Sequence, residues 1–136
     1  MSPTDLPIDI SDSEDIVRGI KTPHHVKKNG ELRPAAFRPP KGNNCVSVIR
    51  LLMGEEFCRN KTKEICDSGY IGRAILNVGA IRKKSNEVNV VDAREGEFLG
   101  HAHILYLCMS LNSDNPDTVA LPLFRYMVEL ARFEKD

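Results

Sequence analysis

His101-Ala102-His103 is the most chemically pointed run in the sequence. On a strand, residues i and i+2 face the same side about 6.5 Å apart, so one metal ion or one substrate can meet both imidazoles. Asp92 or Glu97 can add an oxygen ligand, and Asp92 can instead orient one ring for acid–base work. A second pair, His24-His25, closes such a site if its segment folds back onto the strand from His101. Arg38 and Arg50 are the cations placed to neutralise a phosphate in the transition state. This set describes a metal- or histidine-dependent hydrolase or nuclease. In it His101 and His103 are the catalytic groups and the metal ligands, Asp92 is the third catalytic residue, and His24, His25, Arg38 and Arg50 bind.

The motifs that complete such chemistry elsewhere are missing. A cupin-like site wants a carboxylate four or five residues beyond the histidine pair, where this chain has Leu107 and Cys108. There is no Gly-rich phosphate loop, no G-x-S-x-G elbow and no H-E-x-x-H, and Ser47 stands in an apolar run without a neighbouring base. The four cysteines, Cys45, Cys58, Cys66 and Cys108, form no C-x-x-C pair, so they read as reduced thiols, mostly in apolar surroundings. The leading expectation is therefore a small non-enzymatic interaction or regulatory module within a larger protein assembly, needing no cofactor. The hydrolase or nuclease is the alternative.

Charge is unevenly laid out along a chain whose formal net charge is zero. Residues 1–15 hold five acids and no base, residues 16–63 hold eleven bases and three acids, and residues 64–136 lean acidic. A basic half leaves room for nucleic acid through residues 16–63, although a protein partner fits better. Only Phe37 and Phe57 fall among those bases, too few for a base-stacking platform. The acidic lead Ile8 to Asp15 also has the apolar-plus-acidic look of a peptide that adds a strand to a partner's sheet. No apolar run approaches the roughly 20 residues that span a bilayer, so no membrane partner is expected. The acidic start lacks a secretory pattern, which predicts a cytoplasmic protein.

These residues need elements to hold them. With 136 residues, 41% apolar and 28% charged, the chain has the composition of one folded domain. Residues 1–12 read as a mobile acidic lead and 13–136 as a single α+β domain. The Ser11-x-x-Glu14 spacing of a capping box predicts a short helix over 12–20, ended by Pro23. Asn29-Gly30 marks a hairpin turn within 24–37. Strands are expected over 45–52, 70–81, 88–93 and 101–109, in a mainly antiparallel sheet. An intermediate helix should cover 55–67, with Phe57, Cys58, Ile65 and Cys66 as its inner stripe, and a polar loop 112–117 should follow the last strand. An amphipathic helix over 121–134, opened by Pro122, should pack on one face of the sheet. Leu76, Val78, Ile104, Tyr106, Leu123, Met127 and Leu130 are the predicted core.

Four segments in this order resemble a group of short uncharacterised bacterial proteins: Pro23-His24-His25-Val26, Ala35-Ala36-Phe37, Val46-Ser47-Val48 and His101-Ala102-His103-Ile104. The likeness spans roughly residues 18–105, while Arg50 and the helix from Leu121 are less typical of the group. It implies a bacterial, cytosolic, stand-alone domain, in which His24 or His25 and His101 match the recurrent histidines. It brings no activity with it.

Overall fold

In a computed structural model, which describes residues 6–96, 98–109 and 116–136, the domain is α+β. Six strands, β1 (Asp15–Lys21), β2 (Cys45–Arg50), β3 (Tyr70–Asn77), β4 (Val88–Asp92), β5 (His101–Tyr106) and β6 (Arg132–Lys135), form one sheet. Their order is β4-β5-β2-β1-β3-β6, and every neighbouring pair is antiparallel. Three α-helices cover it: α1 (Glu55–Cys66), α2 (Val78–Lys84) and α3 (Pro116–Leu130).

Strand alternation divides the side chains between two faces. Ile16 and Ile20 of β1, Val46 and Val48 of β2, Ala74 and Leu76 of β3, and Ile104 and Tyr106 of β5 point to the main core. There they meet Leu123, Phe124 and Met127 of α3, Val78 and Ile81 of α2, and Phe37 of a short 3-10 turn, Pro34–Phe37. The Tyr106 hydroxyl donates to the Phe37 carbonyl at 2.7 Å, so even this buried phenol is satisfied. The opposite face is thinner. Val17, Ile49 and Ile75 meet Cys58 of α1 there.

Strand β1 takes the place of the helix expected over 12–20. Glu14 does reach back to the Ser11 amide at 3.1 Å, as a capping box would, and its own amide donates to the Ser11 carbonyl. The turn then opens into a strand, because Ile16 and Ile20 need one face buried and Val17 the other. β3 stops at Asn77, four residues short of expectation. The Asn77 side chain accepts the Ala80 amide at 2.9 Å and caps α2. Gly79 lies so close to the preceding chain that a Cβ there would sit 2.8 Å from the Asp12 carbonyl oxygen.

The amphipathic C-terminal helix packs on the sheet as expected, but with other bounds. It begins at Pro116, carries Pro122 inside it and ends at Leu130, after which Arg132–Lys135 pairs with β3 as an edge strand. Leu130 is accordingly only partly buried, while the other six predicted core residues are buried. α1 is also where expected, but its inner stripe is Cys58, Thr62 and Cys66 at a spacing of four, and Phe57 and Ile65 are exposed. The 24–37 segment makes a single β-bridge, Val26 to Leu32, around its Asn-Gly turn. Of the acidic lead, residues 6–12 run along the sheet with Leu6 and Ile10 buried; residues 1–5, and most of the polar loop 112–117, lie outside the described residues.

Candidate functional site: a basic cleft where two strands part

The histidine strand forms in register but does not collect the expected partners. His101 and His103 lie on the α1 face of β5, with ring centroids 4.8 Å apart and edge to face. Phe98 stacks on His101 at 4.8 Å, and the Lys61 ammonium stands over Phe98. Burial, with the adjacent His101 adding to it, holds His103 below its ordinary value. Asp92 is not their orienter. It sits opposite Ala102 in the β4–β5 ladder, and that register turns it to the other face of the sheet. Its carboxylate accepts instead from Arg94 and Arg50. Burial opposes ionisation of Asp92, but the Arg94 hydrogen bonds and the two guanidinium charges outweigh it and hold the carboxyl below its usual range. Glu97 lies outside the described residues. Among the described residues no three His, Cys, Asp or Glu side chains are placed to hold a metal ion.

Arg50 is corrected as well, from binding residue to structural cation. It is fully buried, and its guanidinium is taken up by Glu14, Asp92 and the Pro7 carbonyl. The pairing Ile16↔Arg50 explains this, because it puts Arg50 on the same inward face as Ile16. His24 is exposed and lines no cavity described here, whereas its neighbour His25 is buried.

His25 and Arg38 do meet, at a place the sequence reading did not assemble. β1 and β2 pair only at Ile16↔Arg50 and Val17↔Ile49. Beyond Val17 the strands part, although β1 continues its ladder with β3 to Lys21. Arg18 spans the gap, donating from Nε to the Ala36 carbonyl at 3.0 Å and from Nη1 to the Ser47 carbonyl at 2.8 Å. The opening is a cavity of about 280 Å³, floored by Arg18 and walled by Val17, Ile49 and the Thr62–Cys66 side of α1. Lys21, His25 and Arg38 are also among the lining residues.

Electrostatics single this cleft out. Among the described residues its lining holds Arg18, Lys21, Arg38 and a histidine, and no carboxylate. Burial lowers the Arg18 pKa from its ordinary value, and among the described residues no acid forms an ion pair with it. A partly buried cation without a counterion is held at a desolvation cost, which an incoming anion relieves. His25 Nδ1 accepts the Lys21 amide at 3.2 Å, which leaves the ring proton on Nε2 as a donor. Burial, then the charges of Arg18, Lys21 and His24, push the His25 pKa down to about 4, so the ring is neutral at pH 7. Burial also raises the pKa of the Cys66 thiol, so it is not a reactive thiolate.

Arg18 and Lys21 are thus the residues that sequence reasoning left inside a general basic half. The signal was present: Ile16-x-Arg18-x-Ile20 places a cation in the inward register of an otherwise apolar strand face. The chain matches no protein-family model, no curated protein and no solved structure. Among the described residues, no helix is long and apolar enough to cross a membrane.

Proposed function

We propose that this α+β domain is an interaction module that works within a larger protein assembly by seating an anionic group of a protein partner in the β1–β2 cleft. One observation carries the reading: Arg18 spans a gap in the sheet beside Lys21 and His25, and among the described residues no acid pairs with it. A cation such as Arg18, which no acid among the described residues pairs, favours a charged ligand over a neutral one. The apolar wall of Val17 and Ile49 favours an anion carried on a carbon body over a bare ion. The His101–His103 strand carries no second reading, because among the described residues no third His, Cys, Asp or Glu side chain joins the two rings.

Affinity capture from the native host tests this with three baits: wild type, Arg18→Gln and His101→Ala/His103→Ala. The expected result is a protein retained by wild type and by the double histidine variant, and lost with Arg18→Gln at unchanged circular dichroism. Recovery of the bait alone, or equal retention by all three baits, overturns it.

A further inference from the structure

Of the sheet's two edges, one is closed by side chains and the other is not. We propose that β6 pairs with the β6 of a second copy of this chain, antiparallel and centred on Phe133, so that two sheets join across a twofold axis. The inference is independent of the β1–β2 cleft, because β3 stands between β6 and β1.

The closed edge is β4. The Ala93 amide donates to the His101 carbonyl and the Leu107 amide to the Glu87 carbonyl. The odd-numbered residues of β4 therefore bond to β5, and Val88, Val90 and Asp92 turn their backbone groups outward. Val90 is then occupied on both sides: its amide donates to Asn89 Oδ1 at 2.8 Å, and its carbonyl accepts from Arg82 Nη2 at 3.1 Å. Ile8, Asp9 and Ile10 of the lead lie beside the same edge. Such plugs keep an edge from pairing with another chain.

β6 carries no plug of this kind. The Asp136 amide donates to the Ile71 carbonyl at 2.9 Å. By the same alternation Arg132 and Glu134 turn their backbone groups to β3, and Phe133 and Lys135 turn theirs outward. Among the described residues no strand pairs with β6 on that side. A facing copy meets these groups: each Phe133 amide donates to the other copy's Phe133 carbonyl, and each Lys135 amide to the other copy's Ala131 carbonyl.

Charge selects the occupant and the register. With the axis at Phe133, Arg132 of each copy stands opposite Glu134 of the other, and the two Phe133 rings form a cross-strand pair. An axis at Arg132 sets arginine against arginine, and an axis at Glu134 sets glutamate against glutamate, so a slip either way is repulsive. Arg132 Nε and Glu134 Oε2 already lie 3.3 Å apart on one face of the strand. A second copy turns that pair into a square of alternating charges. Phe133 is only partly buried against the main core, and the second ring covers what remains exposed.

Sedimentation equilibrium of the full chain tests this from about 10 µM to about 1 mM, a range suited to the small interface that a short edge makes. The average mass should rise with concentration from that of one chain towards that of two. Arg132→Glu sets glutamate against glutamate twice and should weaken the dimer at least about tenfold, while Arg132→Lys should keep it. Lys135→Pro removes an outward amide and no bond to β3, and should abolish the dimer at unchanged circular dichroism. Arg132→Glu carries the test if the proline variant does not fold, since the Arg132 side chain is exposed. A chain that stays monomeric throughout leaves the edge to a different protein and overturns the self-pairing. A dimer indifferent to both variants lies on another surface and overturns it too. A dimer lost with Lys135→Pro but indifferent to Arg132→Glu overturns the register centred on Phe133.

Discussion

Arg50 and Glu14 meet in a two-pronged contact, Nε to Oε1 at 2.8 Å and Nη2 to Oε2 at 2.6 Å, with both side chains buried. The planar fork of a guanidinium matches a carboxylate in this way, and Asp92 joins at 3.2 Å from β4, the next strand but one from β2. The cluster ties the chain before β1 to the far edge of the sheet, because Arg94 also donates to the Leu6 and Pro7 carbonyls. Replacing Arg50 strands two buried carboxylates. Arg50→Ala should lower unfolding free energy by about 3–5 kcal/mol in urea denaturation. A loss below about 1 kcal/mol shows that water already screens the cluster.

Asp92 gives the same cluster a pH signature. Its folded pKa is depressed, so its contribution is present above the ordinary carboxylate value of 3.8 and is lost as pH falls through the folded value. Asp92→Asn should flatten the acid limb of a stability-against-pH curve below about pH 4. A curve that keeps the slope of wild type assigns the acid limb to other carboxylates.

His25 acts higher on the scale with the same sign. Its folded pKa of about 4 lies below the ordinary 6.5, so the fold binds the neutral ring and resists protonation. Stability is complete above pH 6.5 and declines as pH falls towards 4, where burial and then Arg18, Lys21 and His24 oppose the added charge. His25→Asn keeps an acceptor for the Lys21 amide without the titration, and should remove the decline between pH 6.5 and 4. Thermal melts across that window read the difference.

Asn77 marks where strand becomes helix. Asn77→Ala removes the acceptor for the Ala80 amide and should cost about 1 kcal/mol, with faster amide exchange at the start of α2. Unchanged exchange there means that the Gly79 amide bond to Asp12 holds the turn by itself.

At the opposite edge, Gly72→Ala should detach β6 from β3. An added Cβ falls 2.3 Å from the Glu134 carbonyl oxygen, a backbone atom that cannot step aside without breaking the ladder. Hydrogen exchange should then show residues 132–135 unprotected while β1 and β2 keep their protection.

What the sequence disclosed follows from the range of the forces involved. β2, β3, β4 and β5 were legible because each is an apolar run between Gly, Pro or polar turns, and α1 because acids open it and bases follow. β1 was hidden because Ser11 and Glu14 make the same local contact before a strand as before a helix. Val78–Ile81 is apolar in either conformation, and only the Asn77 cap decides it. The candidate site was hidden for a different reason. His25, Arg38 and Arg18 come together through the parting of β1 and β2, which no local pattern records, whereas the closely spaced His101 and His103 announced a site whose third member, Asp92, faces the other way.

β1 lies inside the sheet between β2 and β3, and this sets a timetable for the chain as it is made. At about 5–20 residues per second, several seconds separate the emergence of Ile16, Val17 and Ile20 from that of their partners at residues 70–77. Through that interval three of the most apolar side chains of the fold have only nascent β2 to shelter them. The two pairs that β1 makes with β2 are too few to hold it, so the nucleus must wait for β3. Ribosome-bound chains halted before residue 70 should therefore be protease-sensitive throughout, whereas released full-length chains should not.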